Sequence, residues 1–106
     1  MAYVHQVSFY IGPEQMSELQ IGAALERVLA YLRSLLPSQP GFITARALYS
    51  VDIPDRQHLI FQSQWELWED LLAHAESGLA EGKVLVEFGP HLSQGDLVVH
   101  DYSEVG

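Results

Sequence analysis

The apolar residues of this chain change spacing from two to about 3.6 and back, twice, and that order limits the fold more than any single motif. Tyr3 to Ile11 alternates. Tyr3, His5, Val7, Phe9 and Ile11 fall on one face and Val4, Gln6, Ser8 and Tyr10 on the other, as in a half-buried strand. Gly12-Pro13 ends it. Ser17 and Gln20 then have capping-box spacing, and Met16 and Ile21 sit where a hydrophobic staple would close over the cap. Ile21, Leu25, Val28, Leu32 and Leu35 recur at helical spacing, with Ala24, Leu29 and Leu36 widening the stripe. Arg33 suits the negative end of that helix, and Pro37 to Gly41 stops it.

Two strands follow, Phe42 to Val51 and Gln57 to Trp65, and the turn Asp52 to Arg56 joins them as a hairpin. Ile43, Ala45, Ala47, Tyr49 and Val51 share one face of the first. Leu59, Phe61 and Trp65 share one face of the second, with Ser63. A helix is expected from about Glu66 to Ser77, with Gly78 at its carboxyl end. A short helix is expected over Gly82 to Phe88, and a last strand over Asp96 to Glu104.

Strand, helix, strand, strand, helix, strand is the split βαβ pattern, so the chain reads as an α+β, ferredoxin-like domain. Its 106 residues suit one domain, residues 1–106, with a single core. Right-handed crossovers put both helices on one side of a single antiparallel sheet. The other face then mixes apolar groups with Gln6, Ser8, Arg46, Gln62 and Gln64. A bare face of that kind is a large patch for a monomer, and a two-fold dimer, sheet against sheet, would cover it. A homodimer is expected.

Composition removes several function classes. With no cysteine, neither disulfides nor thiolate metal sites are available. The net charge of −9, with five basic residues scattered singly, disfavours nucleic acid and anionic membranes. No apolar run approaches membrane-spanning length, and the amino terminus lacks the pattern of a signal peptide. These features fit a cytoplasmic protein. His5, His58, His91 and His100 form neither HxH nor HExxH, so no metal is expected. His100 and Asp101 are strand neighbours and point to opposite faces. There is no Gly-rich phosphate loop and no nucleophile elbow.

Candidate chemistry concentrates in WELWEDLLAH, Trp65 to His74. Trp68, Leu71, Leu72 and Ala75 mark the apolar face of a helix, with His74 at its edge. Asp70 precedes His74 by four residues, so the two are expected first as a helix-surface pair. Otherwise His74 is a general base in a pocket, its protonated form favoured by Asp70, or an iron ligand beside an open cleft. Trp65 continues the Leu59–Phe61 face, either as core or as a flat wall against an aromatic ligand. Trp68 is expected in the core with Leu71 and Leu72.

PGF at Pro40 to Phe42 opens the second strand, a hairpin follows, and Trp65 closes the third. An acidic helix then carries His74 nine residues on. Together these resemble the antibiotic-biosynthesis-monooxygenase-like proteins of the dimeric α+β barrel superfamily, over nearly the whole chain. The resemblance implies a pocket within each subunit, between sheet and helices. It implies cofactor-free oxidation of a small aromatic phenol or quinol, with His74, Trp65 and Asp70 as catalytic residues. Tyr10, Tyr49 and Arg46 would orient or stabilise an anion. Some relatives bind and degrade haem through an asparagine on the first strand with a tryptophan and a histidine. This chain has no asparagine, only His5 and Gln6 near that position, and its Trp-to-His spacing is one short of that pattern. The alternatives are a non-catalytic dimeric domain that binds a small hydrophobic molecule and, third, a haem binder.

Overall fold

A computed structural model describes residues 1–52 and 55–105. Among these residues four strands form one antiparallel sheet: β1 Tyr3–Ile11, β2 Phe42–Tyr49, β3 Gln57–Trp65 and β4 Val98–Ser103, in the order β2-β3-β1-β4. Three helices accompany it: α1 Glu18–Leu35, α2 Trp68–Ser77 and α3 Leu79–Phe88. This is the expected α+β, ferredoxin-like arrangement, with the second helical segment split in two.

The core lies between the sheet and the helices. β1 contributes Val7, Phe9 and Ile11, and β3 contributes Leu59, Phe61 and Trp65. Ile21, Ala24, Val28 and Leu32 of α1, Leu71 of α2, and Val84 and Phe88 of α3 close over them. Phe9, Phe61 and Phe88 form one aromatic cluster, the Phe9 and Phe88 rings 4.9 Å apart. The capping box is as expected: Ser17 Oγ accepts from the Gln20 amide at 3.2 Å, and Gln20 Oε1 accepts from the Ser17 amide at 2.9 Å. Met16 and Ile21 are both buried beside it.

Several expectations are corrected. β2 stops at Tyr49, and Ile53 and Pro54 of the expected turn lie outside the described residues. An irregularity between Phe42 and Thr44 shifts the register of β2. Phe42 therefore meets Trp65 edge-on at 5.6 Å, while Ile43, expected on the apolar face, is exposed. The helical stripe ends on fully buried Leu36, in a short 3-10 turn, rather than on Leu35. Trp68 is not core. It stands edge-on to Tyr3, 40% exposed, and Leu72 is also exposed. The face of α2 that enters the core is Leu71 and His74, three residues apart.

α3 begins at Leu79, three residues earlier than expected, because Gly78 turns the chain without a loop. Its φ of 66° caps α2 in the left-handed region and serves α3 as well. Glu87 on α3 takes Arg27 of α1 at 2.6 Å and Lys83 at 3.0 Å, tying the two helices at the surface. On the far face of the sheet, Tyr10, Leu48, Val98 and Tyr102 are exposed beside Gln6, Arg46, Gln62 and Gln64.

Candidate active site

Trp65 and His74 are brought together, and Asp70 is not part of the pair. The Trp65 and His74 rings stack at 4.6 Å with 25° between planes. Trp65 is fully buried, and its indole N–H donates to Ser63 Oγ at 2.9 Å. His74 is 2% exposed, so the helix-surface reading fails. Its Nδ1–H donates to Gln39 Oε1 at 3.2 Å. Gln39 lies just before the Pro40-Gly41-Phe42 turn, so that turn delivers two site residues, Gln39 and Phe42. The Asp70 carboxylate packs against Gly41 instead, where a β-carbon would collide with it. Gly41 has a φ of 78°, a further reason for glycine there. Asp70 lies against the turn and forms neither hydrogen bond nor ion pair with His74 among the described residues.

A third ring, His5, completes the site. It meets His74 edge-on, with centroids 5.1 Å apart. Its Nδ1–H donates to Asp101 Oδ1 at 2.6 Å and its Nε2–H to Glu81 Oε1 at 2.8 Å. Two carboxylates on two ring nitrogens require both to carry hydrogen, so His5 is held as an imidazolium. Burial is the largest single influence on its pKa and lowers it. The hydrogen bonds and charges of Glu81 and Asp101 together outweigh that and leave it above 6.5. Glu81, bonded by His5, is held below the usual carboxylate range.

His74 goes the other way. Burial first, and the positive charge of His5 second, push its pKa down to about 4, against the opposing pull of Glu81 and Asp101. At neutral pH it is an uncharged imidazole with Nδ1 as donor. Its Nε2 is a buried acceptor with no partner among the described residues. The two histidines thus divide the roles, one a fixed cation and the other a free lone pair. A haem on His74 needs an open apolar cleft beside the ring. The stacked Trp65 and the 2% exposure of both histidines do not fit one.

Sequence reasoning placed His5 on the correct face of β1 without giving it a role. Its signal is a polar residue in the apolar row Val7, Phe9, Ile11. Asp101 follows once β4 is paired, because it lies directly opposite His5. Glu81 was hidden by the misplaced start of α3. Tyr10, Tyr49 and Arg46 do not reach this site. Tyr10 lies under Arg56 and against His58, Arg46 donates to Gln62 on the far face, and Tyr49 sits at the sheet edge.

No protein-family model matches the sequence, and a comparison with curated proteins finds no match. Solved structures do match in fold. The monooxygenase ActVA-Orf6 of Streptomyces coelicolor, solved with nanaomycin D, superposes with a TM-score of 0.63 at 17% identity, over 99% of this chain and 88% of that one. A dimeric ferredoxin-like protein of Jannaschia sp. CCS1 gives 0.66 at 16% identity, over 96% and 99%. SnoaB, a cofactor-independent oxygenase from Streptomyces nogalater, gives 0.63 at 12% identity, over 97% and 92%. The chain therefore has the fold of the antibiotic-biosynthesis-monooxygenase-like proteins.

Proposed function

We propose that this protein is a cofactor-independent monooxygenase of a small phenol or quinol. The observation that carries the reading is the unpartnered, buried Nε2 of His74, beside the Trp65 ring and 5.1 Å, ring to ring, from the His5 imidazolium. Trp65 is fully buried and its ring is already covered by His74, so a phenolic O–H reaches that lone pair only once α2 moves, after which the phenol ring would replace His74 or lie beside the indole. A pKa near 4 makes His74 a hydrogen-bond acceptor first and a base only as charge grows on the substrate. Growing phenolate character raises the proton affinity of His74, and the His5 cation stabilises the same anion. The electron-rich ring then reduces oxygen. One oxygen atom becomes a new ring carbonyl. The other leaves as water with the phenolic hydrogen and the displaced ring hydrogen. All four electrons come from the substrate, so no cofactor is needed. Asp70 acts through the Gly41 turn, which follows Gln39, and not on His74 directly.

Homodimerisation through the bare sheet face belongs to the same reading. It is supported by the exposed Tyr10, Leu48, Val98 and Tyr102 on that face and by the dimeric Jannaschia neighbour. A second reading, a non-catalytic domain that binds a small hydrophobic molecule, is favoured by the near-complete closure of both histidines. Oxygen uptake with a reduced naphthoquinol separates the two. The first reading expects turnover that falls at least about tenfold in His74→Ala, about 1.4 kcal/mol of barrier. Saturable binding of aromatic ligands without oxygen uptake would replace it with the second.

A further inference from the structure

A neutral imidazole offers a lone pair on one nitrogen only, and which one is set by the partner of the other. Free histidine in water prefers its hydrogen on Nε2. A buried ring takes the opposite form where an acceptor faces Nδ1. For His74 the group facing Nδ1 is Gln39 Oε1, at 3.2 Å. We propose that Gln39 is a positioning residue, which holds the hydrogen of His74 on Nδ1 and so leaves Nε2 as the acceptor for a phenolic O–H. This role rests on the reading of the site as one that takes a phenol or quinol. The choice of nitrogen is made in the closed state, before α2 moves.

The backbone of Gln39 is held from both sides. Its N–H donates to the Leu36 carbonyl at 2.9 Å, and its carbonyl accepts from the Phe42 N–H at 3.4 Å. Leu36 is fully buried. Pro40 confines the residue before it to extended backbone, and Gln39 lies there, at φ −87° and ψ 139°. The side chain therefore starts from a fixed point. Its one hydrogen bond among the described residues goes to His74. That bond is also the one side-chain hydrogen bond, among the described residues, between α2 and any earlier part of the chain. The charged groups that act on His74 are His5 of β1, Glu81 of α3 and Asp101 of β4, and none of them bonds to either of its nitrogens. Trp65 of β3 presents only a ring face. The choice of nitrogen falls to Gln39. A neutral amide makes that choice without adding charge, so the imidazole stays uncharged; a carboxylate at the same place would favour the protonated ring.

The test is nitrogen-15 NMR of the histidine side chains, made without substrate. At neutral pH the wild-type His74 signals should report hydrogen on Nδ1 and a bare Nε2. Gln39→Leu removes the acceptor and should move the ring toward the Nε2–H form, with amide shifts away from the turn and α2 unchanged. Gln39→Glu should keep the hydrogen on Nδ1, and its negative charge should raise the His74 titration by about one pH unit or more. Packing alone would give the same tautomer and the same titration in all three proteins. Hydrogen on Nε2 in the wild type, a tautomer unmoved by Gln39→Leu, or a titration unmoved by Gln39→Glu would each overturn the proposal. In oxygen uptake with a reduced naphthoquinol, Gln39→Leu should lower kcat about tenfold or more, and Gln39→Glu should retain turnover with its acid limb displaced to higher pH. A wild-type protein with the expected tautomer and no oxygen uptake would overturn the monooxygenase reading and leave Gln39 as the residue that sets the His74 tautomer.

Discussion

Two histidines whose rings lie 5.1 Å apart are driven in opposite directions, and the stability of the protein should record it. His74 has a folded pKa near 4 and an unfolded value near 6.5. Between those values the unfolded chain binds the extra proton, so stability falls as pH drops from about 6.5 to about 4, by about 3 kcal/mol in all. His5 is raised in the folded state. Its contribution is complete below about 6.5 and is lost as pH rises through its folded pKa. Urea denaturation across pH should therefore peak near pH 6.5. His74→Phe should flatten the acid limb, and His5→Gln the alkaline one. An unchanged acid limb in His74→Phe would mean that this imidazole is not depressed. The family resemblance implied that His74 and Trp65 line one pocket, but no sequence pattern carries the sign of either histidine. That sign depends on Glu81 and Asp101, which are 76 and 96 positions from His5 and reach it only through the fold.

Elements were more legible than side chains, because spacing is local and contacts are not. The nine residues of β3 and the capping box of α1 could be read directly. The capping serine is worth about 1 kcal/mol, so Ser17→Ala should lower the urea midpoint by that amount with an unchanged slope. Phe42 and Ile43 exchanged places because one irregular pair in β2 inverts the alternation, and nothing in the sequence marks such a step. Gly41 is the residue that holds this turn in place. Gly41→Ala puts a side chain at positive φ and into the Asp70 carboxylate, and should cost about 1–3 kcal/mol. Adding Asp70→Gly to it should recover the steric part and leave the backbone strain, which a double-mutant cycle would separate.

At the scale of the whole molecule, the far sheet face and the net charge pull against each other. If two copies pair through that face, each brings −9, so the dimer should tighten as salt screens the repulsion. Ile60 sits on that face between Ser8 and Leu48. Sedimentation in 20 and 300 mM salt should give a larger dimer fraction at the higher concentration, and Ile60→Asp should give monomer at both. The architecture and the bare face could be anticipated from periodicity alone. The burial of the two histidines could not, since it depends on how α2 and α3 share Gly78. That shared joint has a mechanical result. His74 lies four residues before Gly78 and Glu81 three residues after it, so one backbone pivot governs how far the neutral ring stands from the clamped cation. Because α3 carries Phe88 into the aromatic cluster, α2 is the helix whose swing about that point would open a way to His74 and leave the cluster undisturbed.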